Sequence, residues 1–208
     1  MKSYFFLPLI LLFSCTATRI TSSWTAPSAG NKNYQKILVV SVIQNEDSTM
    51  RNKMEEHMVT DLQSLGYNAV AYSGVFKQGT MKNMRYDSVR NRLTNLGIDG
   101  VITISLMAKE KESVYVKDKG TVKPDNLPMG SFWETPAVVR QEVGRPGYYI
   151  TSTQYYWESN FYDVGTIDLL YNAKSTAFEV SSAKSLAHKY GKKIVDDMQK
   201  HYLLTAKN

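Results

Sequence analysis

Two short apolar runs constrain this chain more than anything else in it. Lys36-Ile-Leu-Val-Val-Ser-Val-Ile43 and Asp99-Gly-Val-Ile-Thr-Ile-Ser-Leu106 are rich in β-branched residues and nearly free of charge. A strand with one wet face alternates apolar and polar residues. A strand that is apolar at successive positions must be covered on both faces, which places it inside a sheet flanked by helices. The stretch between the runs has the period of a helix. Met50, Met54, Met58, Leu62 and Leu65 recur at spacings of four and three, after Asp47, Ser48 and Thr49 as candidate N-caps, and Gly66 stops the pattern. This Met-rich stripe reads as core, because methionine fills irregular gaps well. Tyr67-Asn-Ala-Val-Ala-Tyr72 reads as a second strand. Asp87 or Ser88 then caps a helix through Val89, Leu93 and Leu96 that ends at Gly97. Both helices close on Leu-Gly and run directly into a strand. The order β-α-β-α-β within about 70 residues implies right-handed crossovers and a parallel sheet.

The C-terminal half has a different pattern. Tyr148 to Tyr162 reads as a long aromatic strand, Asp163-Val-Gly165 as a tight turn, and Thr166 to Phe178 as an antiparallel return with Ile167, Leu169, Tyr171 and Ala173 on one face. Ser181 or Ser182 caps a last helix that buries Leu186, Tyr190, Ile194, Met198 and Tyr202. Lys109 to Lys119, around Val114-Tyr-Val116, reads as an edge strand whose lysines discourage pairing. Gly120 to Gly147 contains four prolines and reads as a long loop. The expected fold class is therefore α/β (α+β). A three-strand βαβαβ unit is extended by a long antiparallel hairpin into one mixed sheet, and a C-terminal helix packs on it. One domain spans 34–204, with the Pro/Gly-rich loop at 120–147.

The N-terminus points outside the cytoplasm. Lys2 precedes an apolar run from Tyr4 to Phe13, and Ser14-Cys15 follows. This is the layout of a secretory signal. The run is about ten residues, too short to span a bilayer, which takes roughly 20. Leu12-Phe13-Ser14-Cys15 resembles a bacterial lipobox at Leu12, Ser14 and Cys15. On that reading residues 1–14 are a lipoprotein signal peptide, and Cys15, the only cysteine, is the lipid attachment site. A lone cysteine has no internal disulfide to make, and acyl chains such as palmitate hold a protein on a membrane without spanning it. Residues 15–33 read as a lipid-anchored flexible tether; the competing reading of Ile20 to Trp24 is a short edge strand docked on the domain. The formal charge of +6 suits anionic envelope partners. Its basic residues are scattered, with no run of five like charges, so no nucleic-acid partner is expected.

Sites for chemistry are sparse. His57, His188 and His201 each fall on an expected helix without metal spacing, and His-Glu-x-x-His, paired metal cysteines and Gly-x-Ser-x-Gly are all absent. The first strand leads into Gln44-Asn-Glu-Asp47, which would repel a phosphate. Glu110, Glu112 and Asp118 are interleaved with lysines and read as surface charge. The expectation is a non-enzyme with no cofactor and no metal. What remains is the aromatic strand, with Tyr149, Tyr155, Trp157 and Phe161 assigned to one face and Tyr148, Ile150, Tyr156 and Tyr162 to the other. Such rings either pack under helices or, exposed, stack on sugars or anchor a partner. The candidate binding surface is Tyr148, Tyr155, Tyr156 and Trp157.

The whole order resembles the small periplasmic α/β domains of Gram-negative envelope lipoproteins. These include the N-terminal domain of TolB, the curli-secretion lipoprotein and the lipoprotein activators of penicillin-binding proteins. The residues that carry the resemblance are Cys15, the strand Lys36 to Ile43, Leu65-Gly66-Tyr67, Asp99-Gly-Val-Ile-Thr-Ile and the hairpin Phe161-Tyr-Asp-Val-Gly-Thr. Ser23-Trp-Thr-Ala-Pro27 is similar to the lead-in of a set of uncharacterised envelope lipoproteins. The resemblance implies a non-catalytic lipoprotein that acts by contact with an envelope protein in assembly or transport. Thr16-Ala17, with no Asp after the cysteine, implies the outer membrane, periplasmic side. The alternative is a glycan- or peptidoglycan-binding module that uses the aromatics of the 148–162 strand.

Overall fold

The computed structural model describes residues 18–30, 32–43, 48–116, 148–178 and 182–207. Among them are six strands and four helices: β1 (Thr18–Thr25), β2 (Lys36–Val42), α1 (Ser48–Ser64), β3 (Asn68–Ala71), α2 (Tyr72–Val75), α3 (Tyr86–Asn95), β4 (Gly100–Val116), β5 (Tyr148–Asp163), β6 (Leu169–Phe178) and α4 (Ala183–Lys200). The strands form one mixed sheet in the order β1-β6-β5-β4-β2-β3. This is the expected class: a βαβαβ unit, a hairpin and a C-terminal helix on one sheet.

The chain divides into two compact units, one of Met1–Ala108 with Tyr155–Asn208 and one of Lys109–Gln154. In the first, β2 pairs in parallel with β3 (Ile37 opposite Ala69) and with β4 (Ile37 opposite Gly100). The unbroken apolar run of β2 now has its explanation. Ile37 and Val39 enter the core beneath α1 and α4, beside Met54, Met58, Leu62, Tyr190 and Ile194. Leu38 and Val40 enter a smaller core with Phe76 and with Leu93 of α3. The Leu-Gly stops work as read. Gly66 and Gly97 take φ of 86° and 70°, a region open to glycine at little cost. The next residues close the helices: Tyr67 N donates to Leu62 O at 3.2 Å and Ile98 N to Leu93 O at 3.0 Å.

Several expectations need correction. Lys109–Val116 does not form a separate edge strand; β4 continues to Val116 beside β5, and the rest of the expected strand, 117–119, lies outside the described residues. Tyr72 opens the short α2 rather than ending β3. On β6 the inward residues are Tyr171, Ala173, Ser175 and Ala177. Ile167 instead lies in the turn with φ 66° and is exposed. Tyr202 lies in the turn after α4 with φ 57° and is 78% exposed rather than buried in the helix. Of the two readings of the N-terminal segment, Thr18–Thr25 forms the edge strand, antiparallel to β6. Ser182 is the cap of α4, its Oγ accepting from Ser185 N. The turn after β5 is held by Asp163, nearly buried, which accepts from Lys32 Nζ (2.7 Å), Tyr34 Oη (3.2 Å) and Thr166 N (3.0 Å). The signal segment with Cys15, Gln44 to Asp47 and the loop at 120–147 lie outside the described residues.

The second unit is described over Lys109–Val116 and Tyr148–Gln154. There β4 and β5 form an antiparallel ribbon, with the Ser113 and Thr151 hydroxyls 3.2 Å apart and the Tyr115 and Tyr149 rings 5.1 Å apart.

Candidate functional site

β5 sorts the predicted binding residues by parity, as any strand must. Thr153, Tyr155, Trp157, Ser159, Phe161 and Asp163 are all buried. Trp157, 1% exposed, stacks with Tyr155 at 6.1 Å and lies 5.5 Å from the Tyr190 ring. The Tyr190 and Ser159 hydroxyls share a hydrogen bond of 2.7 Å, and Tyr171 donates to Asp197 at 2.8 Å. Burial drives the hydroxyls of Tyr171 and Tyr190 well above the usual tyrosine range, so both stay neutral. Tyr155 and Trp157 are therefore core residues with no ring face open to a sugar or partner. Of the four candidates only Tyr148 is exposed; Tyr156 is half-buried.

The opposite parity of β5 holds Tyr156, Glu158, Asn160 and Tyr162, all half-buried. On this face Asn172 of β6 donates from Nδ2 to Glu158 Oε1 (2.8 Å) and Asn160 Oδ1 (2.7 Å), and Asn160 Nδ2 donates to Glu158 Oε1 (3.3 Å). Burial, reinforced by the Glu158 charge, raises the Tyr162 hydroxyl above its ordinary value. Trp24 of β1 stands directly opposite Asn172 and is 49% exposed. Sequence reasoning missed Glu158, Asn160, Asn172 and Trp24 as one group. Polar residues alternating with aromatics along 156–162 were the available signal.

The ribbon carries a second aromatic group. Tyr115, Tyr148 and Tyr149 are 51%, 56% and 71% exposed, and their neighbours Lys109 to Ser113 are exposed as well.

A cavity of about 1100 Å³ opens at the C-terminal ends of β2 and β3. Arg51, Lys77 and Lys82 line it, with Glu55 as the carboxylate. Glu55 is fully buried, and each of its oxygens accepts a backbone N–H: Ser41 N at 2.9 Å and Ser73 N at 2.9 Å. It serves as a strut between β2 and the segment after β3, each of its oxygens held by a backbone N–H.

The histidines are closer in space than in sequence. His57 of α1 and His188 of α4 meet edge to face at 5.6 Å. Among the described residues no three His, Cys, Asp or Glu side chains gather as a metal set. Burial lowers the His57 pKa, with His188, Lys184 and Lys53 adding to the effect. Nearby, Asp61 of α1 is raised by burial, and its Oδ2 has no hydrogen-bond partner among the described residues. No helix among the described residues is long and apolar enough to cross a membrane.

No protein-family model matches the chain, and no curated protein matches it. Among solved structures it is similar to the PelC dodecamer protein of Paraburkholderia phytofirmans, with TM-score 0.47, 12% identity and coverage of 88% of this chain and 96% of that one. It is also similar to lipoprotein GNA1162 of Neisseria meningitidis, with TM-score 0.45, 14% identity and coverage of 80% and 99%. Likeness at this level concerns the course of the chain and carries no functional information.

Proposed function

We propose that this chain is a non-catalytic envelope lipoprotein, anchored by acyl chains on Cys15 and acting by contact with an envelope protein through the β4–β5 ribbon. The observation that carries the reading is the exposed pair Tyr115 and Tyr149 on one face of the ribbon, with Tyr148 exposed on the other face. Three aromatic rings on two neighbouring strands are held largely in solvent. Rings of this kind bury large areas on contact and rank among the strongest anchors of protein interfaces. Two of them already lean on each other at 5.1 Å, so their positions are set before a partner arrives. The lone cysteine after a ten-residue apolar run supports the anchor, and its Thr16-Ala17 neighbours favour the outer membrane, periplasmic side.

The test has two parts. Labelled fatty acid should enter the chain and be lost on Cys15→Ser. A photo-crosslinking residue at Tyr149 should give one discrete protein adduct in living cells, while the same residue at Tyr86, 84% exposed on α3, should give none. Equal adducts from both positions would refute the ribbon as the contact surface.

A further inference from the structure

A β-bulge re-aims the one tryptophan of the edge strand. At the start of β1, Thr18 opposes Ala177 and Ile20 opposes Ser175, and both point inward, Ile20 against the main core. Strict alternation would send Ser22 and Trp24 the same way. The register slips between Ile20 and Ser22, and Thr21 drops out of the pairing, its hydroxyl donating to Lys174 O at 3.0 Å. From there on the phase is reversed. Ser22 opposes Lys174, and Trp24 opposes Asn172, on the outward face. Bulges serve to re-aim side chains of this kind. A half-exposed indole on a free sheet edge is otherwise a liability for aggregation.

We infer that the outward face of β1, β6 and β5 binds an acidic glycan, a saccharide chain bearing carboxylates. Trp24 is its stacking platform and Glu158, Asn160 and Asn172 are its hydrogen-bonding floor. This is a separate activity from the protein contact assigned to the ribbon. The floor is preorganised, because the three polar side chains hold one another in place at 2.7–3.3 Å. A carboxylate and two amides have more lone pairs and N–H groups than those bonds use, enough to meet paired ring hydroxyls. Tyr162, half-buried, shares the parity of Glu158 and Asn160 on this face. The flat indole offers an apolar surface to the C–H face of a sugar, and its N–H offers a polar edge. Charge selects among saccharides. Arg19 and Lys174 stand exposed on this face, opposite Thr176 and Ser22. On these three strands Glu158 is the one outward acid, and its Oε1 is occupied by the two amides. The face is net positive and suits a carboxylated chain such as a peptidoglycan strand.

The experiment is co-sedimentation of the full chain with purified sacculi at physiological salt, with soluble muropeptides or polyglutamate as competitors. The wild-type chain should pellet and be displaced by muropeptides. Trp24→Ala and Asn172→Ala should each weaken retention about tenfold. Lys174→Glu, an exposed change that leaves the strand pairing intact, should weaken it similarly. Tyr149→Ala should pellet like the wild type. The inference is overturned if the wild-type chain stays in the supernatant, or if Trp24→Ala and Lys174→Glu both pellet normally. Displacement by polyglutamate at the same carboxylate concentration would also overturn it, since that would be plain charge attraction.

Discussion

Trp157 separates packing from binding most sharply, because a ring that reads as a sugar platform in sequence is buried in the fold. Its indole is 1% exposed between Tyr155 and Tyr190. Burying about 200 Å² of aromatic surface at about 25 cal/mol per Å² contributes about 5 kcal/mol. Measured truncations of buried Trp and Phe to Ala cost about 3–5 kcal/mol. Trp157→Ala should therefore lower the melting temperature by about 10 °C or more for a domain of this size. Trp157→Phe is the sharper probe. It leaves a smaller void, at a cost of about 1–2 kcal/mol. It also removes Nε1, which has no hydrogen-bond partner among the described residues. An unsatisfied buried donor costs about 1–3 kcal/mol, so the two effects offset and Trp157→Phe should melt within a few degrees of the wild type. Urea unfolding followed by far-ultraviolet circular dichroism gives both differences. If Trp157→Ala melts with the wild type, the ring is not in the core and the face assignment of β5 is wrong.

Two further outcomes follow from the seam between α1 and α4. A Cβ on Gly191 would come within 2.6 Å of Asp61 Oδ2 and 3.4 Å of Met58 N; Gly191→Ala should therefore destabilise by about 1–3 kcal/mol, and Asp61→Ala in the same chain should restore part of the loss in a thermal melt. The same seam predicts a pH response. The folded His57 has its pKa below 6.5, so the unfolded chain binds more protons under that value, and stability present above pH 6.5 is lost as pH falls. Asp61, raised above 3.8, acts in the opposite sense, and its contribution is lost as pH rises through its folded pKa. His57→Gln should shrink the fall in melting temperature between neutral pH and pH 5.5, and an unchanged fall would refute the assignment.

The fold was legible where the physics is local. The runs at Lys36 and Asp99, the Met stripe and the Leu-Gly stops each state their own environment, and together they imply crossovers of one hand. The hairpin and the cap at Ser182 were legible for the same reason. The faces of the C-terminal half were less so. Tyr148, Tyr155, Tyr156 and Trp157 were grouped by ring chemistry, although 155 and 157 share a parity that 148 and 156 do not. Both α1 and α4 cover that parity and turn its rings into core. The meeting of His57 with His188 depends on how two helices cross, which no spacing within either helix records.

The bulge at Thr21 marks where pattern reading stops and pairing begins. Thr-Arg-Ile-Thr-Ser-Ser-Trp looks like an ordinary alternating strand, and alternation assigns Ile20, Ser22 and Trp24 to one face. Only the ladder with β6 shows that Ile20 and Trp24 leave the strand on opposite sides. That single inserted residue lets one short edge strand close the main core with Ile20 and present an indole beside Asn172 with Trp24. Thr21 is the surplus residue, so removing it leaves three steps between Ile20 and Trp24, and plain alternation then puts the two on opposite faces with no bulge. Deletion of Thr21 should therefore keep Ile20 on the core side and leave the exposure of Trp24 to an aqueous quencher such as iodide unchanged. Iodide quenching of a chain in which Trp133 and Trp157 are replaced by Phe would read Trp24 alone. Loss of quenching on deletion of Thr21 would mean that Thr21 is not the residue left out of the ladder.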